Sequence, residues 1–277
     1  MEDTDGRPTE TEIDQYASVA REAVLAAADY LDDRFRSNDL DADWRAGDVK
    51  TAADHGAERR VLDRIRASYP DHAIAAEESG EHAGRGPGTY RWVVDALDGT
   101  NNYAAGVPTF GVAVTLTDEH GPLVSCVGVP VLDDVYLARR NGGVTYNGHP
   151  IGSGVEGPGG IGDGDSVPPS HATVAVVLGA PVLERDSLFA AYERLVDDLE
   201  GVCKRVVRTW APVVYWGLLV RGRIGGFVAF HPDEREQAAG SLLAREAGRP
   251  EAGEGPLTVF GRDERTRDAL LAAADGP

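Results

Sequence analysis

A Gly- and Pro-rich stretch at 153–170 (SGVEGPGGIGDGDSVPPS) divides the chain into two halves of different patterning. No other feature limits the fold as strongly. Such a composition favours no single conformation and reads as a linker or long surface loop. Its formal G-x-G-x-x-G at Gly157, Gly159 and Gly162 opens no helix. Pro168-Pro169 follow where a helix would run, so the match does not mark a dinucleotide site.

Before the break, two helices lead into a run of strands. Ile13, Tyr16, Ala20, Ala23, Ala27 and Leu31 recur three or four apart and predict one helix over 10–37. A second helix follows Thr51, with Ala57, Val61 and Ile65 on one stripe. It ends before Tyr69-Pro70, because a residue preceding proline leaves the helical region. Strands are predicted at Ala73–Ala76, Trp92–Val94, Thr109–Thr117, Leu123–Val131 and Val135–Ala138, with Gly142-Gly143 and Asn147-Gly148 punctuating a meander. After the break, strands at His171–Leu178, Val206-Val207, Ile224–Phe230 and Leu257–Phe260 alternate with helices at Leu183–Leu199, Ala211–Val220, Glu236–Ala247 and Asp263–Ala273. This predicts an α/β protein, an α+β layered sandwich of alternating helix and sheet layers in two halves. An N-terminal α+β domain covers 1–152, a linker 153–170, and a C-terminal α/β domain 171–277.

Charge excludes several functions. There are 46 Asp and Glu against 27 Lys and Arg, a net charge of −19. With no basic stripe to neutralise phosphates, a nucleic-acid partner is not expected. No apolar run is long enough to span a bilayer, and Met1–Glu10 is polar and acidic, so neither a membrane span nor a signal peptide is expected. Cys126 and Cys203 lack zinc-ligand spacing and suggest a reduced, cytoplasmic protein. A surface this acidic repels itself at low salt, whereas molar salt shortens the Debye length to about 3 Å. The composition therefore predicts a halophilic protein of a salt-rich cytoplasm. The only lysines are Lys50 and Lys204.

The chemistry concentrates at Trp92-Val93-Val94-Asp95-Ala96-Leu97-Asp98-Gly99-Thr100-Asn101-Asn102. An apolar strand delivers Asp95 at its end, the turn delivers Asp98, and Thr100 can open a short helix. Hard divalent cations take carboxylate and carbonyl oxygens, and free N–H groups at Gly99 and Thr100 suit an anion. In a chain where about one residue in six is a carboxylate, the same residues also read as a turn and a solvated strand end. Two further pieces stand upstream: Glu77-Glu78-Ser79 after a short apolar strand, and Asp48-Val49-Lys50-Thr51-Ala52-Ala53-Asp54 at the start of the second helix.

Together with A-G-V-P-T-F-G-V-A-V-T-L and R-R-N-G-G-V-T-Y-N-G-H-P-I, these segments resemble the inositol monophosphatase and fructose bisphosphatase superfamily of Mg²⁺-dependent phosphomonoesterases, commonly lithium-sensitive. The resemblance runs from about Asp48 to His149 and returns weakly at E-Q-A-A-G-S-L-L-A-R-E-A-G. It implies two or three Mg²⁺ ions held by Glu77, Asp95, the Leu97 carbonyl, the Thr100 side chain, Asp98 and Glu236. It implies phosphate at Gly99 and Thr100, and Asp54 paired with Thr100 to orient an attacking water. Glu77, Asp54 and Thr100 would be the catalytic residues. The substrate would be a small sugar or inositol phosphate. Dimers are common in the superfamily, so the resemblance leaves a homodimer open, although no interface is legible in the sequence.

The chain departs from that pattern in its second half. The W-D-x-A-A-G motif reads Arg235-Glu236-Gln237-Ala238-Ala239-Gly240, placing Glu236 at the Asp position and Arg235 at the Trp position; Asp233 and Glu234 lie close by. R-x-x-G-[ST]-A reads Arg205-Val206-Val207-Arg208-Thr209-Trp210-Ala211, and Ala229 stands near the position of an expected sugar-gripping acid. Asp98 and Arg208 are the expected substrate contacts, since arginine suits a phosphate or a carboxylate. A paralogue that binds metal and a phosphorylated ligand without turnover stays open. A haloacid-dehalogenase-type phosphatase needs D-x-D on its first strand, which Asp95-x-x-Asp98 after two helices does not provide.

Overall fold

The computed structural model describes residues 8–40, 42–45, 48–85, 90–152, 167–253 and 255–274. The first half runs α1 (Glu10–Arg36), β1 (Ala42–Arg45), β2 (Asp48–Thr51), α2 (Ala52–Ser68), β3 (Ala73–Ala76), β4 (Gly80–His82), β5 (Arg91–Asp98), α3 (Thr100–Ala104), β6 (Gly111–Asp118), β7 (Gly121–Val129), β8 (Asp134–Arg139), β9 (Gly143–Tyr146) and β10 (His149–Ile151). The second half runs β11 (Thr173–Leu178), α4 (Ala180–Leu183), α5 (Asp186–Glu200), β12 (Arg205–Arg208), α6 (Pro212–Val220), β13 (Gly226–Phe230), α7 (Glu234–Glu246), β14 (Glu251–Ala252), β15 (Leu257–Gly261) and α8 (Glu264–Ala274).

Among the described residues an eight-stranded sheet has the order β10-β9-β8-β7-β6-β5-β3-β4, and a five-stranded sheet the order β12-β11-β13-β15-β14. Four apolar clusters fix the layering. Ala20, Val24, Val61 and Ile65 of α1 and α2 pack on one face of the large sheet with Trp92, Val94 and Val114. Its other face, with Ala113, Val127 and Tyr136, meets Val213, Val214, Leu242 and Leu243 of α6 and α7. Those two helices then turn Trp216, Leu219 and Ala244 onto Ala175, Phe227 and Phe260 of the small sheet. The far face of that sheet carries α5 and α8 through Leu195, Leu199 and Leu270. Helix, sheet, helix, sheet and helix alternate, because each sheet buries both faces and each helical layer shields one or two of them.

The long helices end where the sequence places them. Thr51 caps α2, accepting from Ala53 N at 3.0 Å, and Tyr69 leaves the helical region. Other boundaries differ. The helix predicted at Leu183–Leu199 begins only at Asp186, because Arg185 is extended (φ −132°, ψ 109°) and starts α5 anew, while Leu183 ends the separate short helix α4, which was not predicted. The strand predicted over 171–178 begins at Thr173, after a 3₁₀ turn at Pro169–His171. The strand predicted to reach Val131 stops at Val129, where Pro130 opens another 3₁₀ turn. The β1–β2 hairpin was not predicted, since its strands are only four residues each and too short for their pattern to stand out. Of the predicted linker, 153–166 lie outside the described residues. No helix among the described residues is long and apolar enough to cross a membrane. Both cysteines are buried and free, and burial pushes the Cys126 thiol up to about 12.

Candidate active site

The strand end at β5 is shaped by a bulge. Asp95 pairs with Ala113 but Asp98 pairs with Gly111, so β5 carries one extra residue between the two acids. Residues three apart on a regular strand point to opposite faces; a bulge breaks that alternation and re-aims side chains. Both carboxylates are buried, at 4% and 3% exposure. Asp95 Oδ1 accepts from Leu97 N at 3.2 Å, and Asp98 Oδ2 accepts from Val213 N at 2.7 Å. The second contact comes from the first turn of α6, so the C-terminal half holds one oxygen of the site. Gly99 turns the chain at φ +87°, and a Cβ there would lie 2.8 Å from Ala211 Cβ and 3.1 Å from Thr109 O. Only glycine meets both demands.

Helix α2 supplies the opposite wall. Thr51 N and Oγ1 both donate to Asp54 Oδ2 at 2.7 Å, a capping box with Asp as its acid. The remaining oxygen, Asp54 Oδ1, lies 3.0 Å from Thr100 Oγ1, which is also 3.1 Å from Leu97 O. Asp54 and Thr100, read from segments 46 residues apart, thus meet directly. One turn further along α2, Glu58 accepts from Glu78 N at 2.7 Å and Ser79 N at 3.1 Å and so fixes the turn that presents Glu77.

Glu77 stands at a cleft it shares with Asp233, Arg235 and Ala238. Partial enclosure pushes its carboxyl up although 36% of the side chain is open to solvent; Lys50, at 3.8 Å, and Arg235 pull the other way. Glu236 is the third residue of α7, and its side chain lies outside the described residues. Arg208 is drawn elsewhere. Its guanidinium pairs with Glu193 of α5 and lies 5.4 Å from the Tyr192 ring, so a substrate contact requires its release. Trp210, one residue before the Ala211 that abuts Gly99, is 48% exposed.

Among the described residues no three His, Cys, Asp or Glu side chains form a ready-made cation cage. The donors nevertheless suit a hard divalent cation: the Asp95, Asp98 and Glu77 carboxylates, the Leu97 carbonyl and the Thr100 hydroxyl are all oxygens. Buried carboxylates call for a counter-charge. Lys50, Arg235, Glu58 and the Val213 amide are the site residues that sequence reasoning did not assign. Lysine scarcity was the available signal for Lys50, and Arg235 was noted only as a departure.

The layered sandwich thus sets paired acids at a bulged strand end opposite a capped helix. The Inositol monophosphatase family profile matches residues 12–273, and the chain belongs to this family of phosphatases. A Nus factor SuhB from Salmonella typhimurium is 30% identical over 203 residues, covering 73% of this chain and 71% of the relative. A fructose-1,6-bisphosphatase/inositol-1-monophosphatase from Aquifex aeolicus is 30% identical over 237 residues, 84% of either chain. The solved structure of an inositol monophosphatase from Anabaena has a TM-score of 0.77 at 24% identity, covering 96% of this chain and 98% of that one.

Proposed function

We propose that the chain is a Mg²⁺-dependent phosphomonoesterase of small sugar or inositol phosphates, working in a salt-rich cytoplasm. The observation that carries this reading is the 3.0 Å contact between Thr100 Oγ1 and Asp54 Oδ1, beside the buried Asp95 and Asp98. Asp54 is held rigid because Thr51 occupies its other oxygen with two donors. When the Thr100 hydroxyl donates to Asp54, its lone pairs face the site and accept from a water. That water is then oriented toward the phosphorus, and the Thr100–Asp54 pair takes up its proton. The amides at Gly99 and Thr100 face the phosphate oxygens as charge reorganises. Glu77, Asp95, Asp98, Glu236 and the Leu97 carbonyl would hold two or three Mg²⁺ ions. Bound there, Mg²⁺ supplies Lewis acidity toward the phosphate and the water. Asp98 completes the substrate wall, and Arg208 joins it once freed from Glu193.

Phosphate release from inositol monophosphate and fructose bisphosphate, with Mg²⁺ in molar KCl, tests the reading. Asp54→Asn and Thr100→Ala are each expected to lower turnover by roughly 10²-fold or more, the usual range for a lost proton acceptor, with the fold intact. Undiminished turnover in both would remove the pair from the reaction. A second reading is favoured by the altered Arg235-Glu236 motif: a protein that binds metal and a phosphorylated ligand without turnover. Mg²⁺ uptake with no phosphate release from any substrate tested would favour it.

A further inference from the structure

Two protein cations stand beside Glu77. Lys50 Nζ lies 3.8 Å from Glu77 Oε1 and pairs with Glu78. It is one of two lysines in a chain whose other cations are arginines. Arg235 is anchored from behind. Asp233 caps α7, and its Oδ1 and Oδ2 accept from Arg235 Nε and Nη2, each at 3.0 Å. The same Oδ1 accepts from the Arg235 backbone N–H at 2.8 Å. A guanidinium gripped in this bidentate way is a fixed charge, not a swinging one. Arg235, Asp233 and Glu77 line one cleft of about 540 Å³. The Arg235 charge is felt by both Glu77 and Asp95.

We propose that Lys50 and Arg235 are resident counter-ions of the acid site and take the electrostatic place of one divalent cation beside Glu77. The chain then takes up one divalent ion fewer than the same acids would hold without them. Lys50 is shared between Glu77 and Glu78 and Arg235 is held by Asp233, so two of these three negative charges are answered before any ion arrives, and the cleft's attraction for a further cation is weakened accordingly. The inference rests on the metal-dependent reading above. It assigns to protein side chains a charge that this reading otherwise assigns to an ion.

Calorimetric titration of the full chain with MgCl₂, without substrate and at fixed molar KCl, tests it. Arg235→Gln and the double variant Arg235→Gln/Lys50→Gln are expected to take up one Mg²⁺ more than the parent, or to bind that ion about tenfold more tightly. Arg235→Lys, which keeps the cation, stays like the parent. In EDTA, Arg235→Gln and Lys50→Gln should each melt below the parent, and Mg²⁺ should raise their Tm by more. Equal stoichiometry, affinity and Mg²⁺-induced Tm shifts in parent and variants would overturn the proposal. If the parent also releases phosphate with Mg²⁺, only the resident-cation role falls. If parent and variants take up no Mg²⁺ and release no phosphate, the metal-dependent reading falls with it.

Discussion

Thr51 does two jobs with one hydroxyl. It caps α2 and steadies the acid that faces Thr100. Thr51→Ala should lower stability by about 1 kcal/mol, as loss of a helix cap does, and should reduce turnover as well; Thr51→Ser should restore both. Urea melts and phosphate release check the two effects. Asp95, Asp98 and Thr100 stood out as one run at a strand end, whereas Asp54 was tied to Thr100 only by the family resemblance; the structure brings those two side chains into contact. Glu58 was not legible. One carboxylate among 46 acidic residues looks like solvated surface, and only the fold reveals that it answers two amides of the Glu77 turn. The Val213 amide was illegible for another reason: it lies 115 residues from Asp98, and a backbone donor leaves no trace in residue type.

Gly240 occupies the last position of E-Q-A-A-G and shows why that position is small. A Cβ there would lie 1.9 Å from Trp216 Cε2, inside the indole of the neighbouring helix α6. Gly240→Ala should therefore cost about 1–3 kcal/mol or more by overpacking, read as a lower urea midpoint. At the turn between α2 and β3, His72 stacks on Tyr69 and accepts from Trp92 Nε1 at 3.2 Å through Nδ1. Burial lowers its pKa from the ordinary 6.5, against a smaller opposing pull from Asp71. The folded state thus keeps the ring neutral while the unfolded chain protonates it near pH 6.5. Its contribution is whole above that pH and is lost as pH falls below it. His72→Phe should flatten this part of the stability–pH curve between about pH 5 and 7. Helices with a clear apolar stripe were readable at their existence and at capped ends. Breaks such as the one at Arg185 were not, because the apolar pattern runs through them and only the backbone turns.

Across the whole molecule the net charge of −19 acts on every layer at once. Raising KCl from low to molar concentration should increase the urea midpoint and Tm, since screening weakens self-repulsion beyond about 3 Å; equal stability at both would detach the composition from salt adaptation. The alternation of helix and sheet layers was legible in outline from the change of pattern near residue 153. That α6 and α7 form the layer between both sheets was not, because their helices read as apolar without naming which sheet they serve.

Because one pair of helices is the common filling of both sheets, the polypeptide is sewn together and not merely hinged. Severed near the middle, the N-terminal piece would lose the cover of a whole sheet surface and one anchor of Asp98, while the C-terminal piece would keep helices with an unclothed side. Neither piece alone would hold Asp98 as the intact chain does.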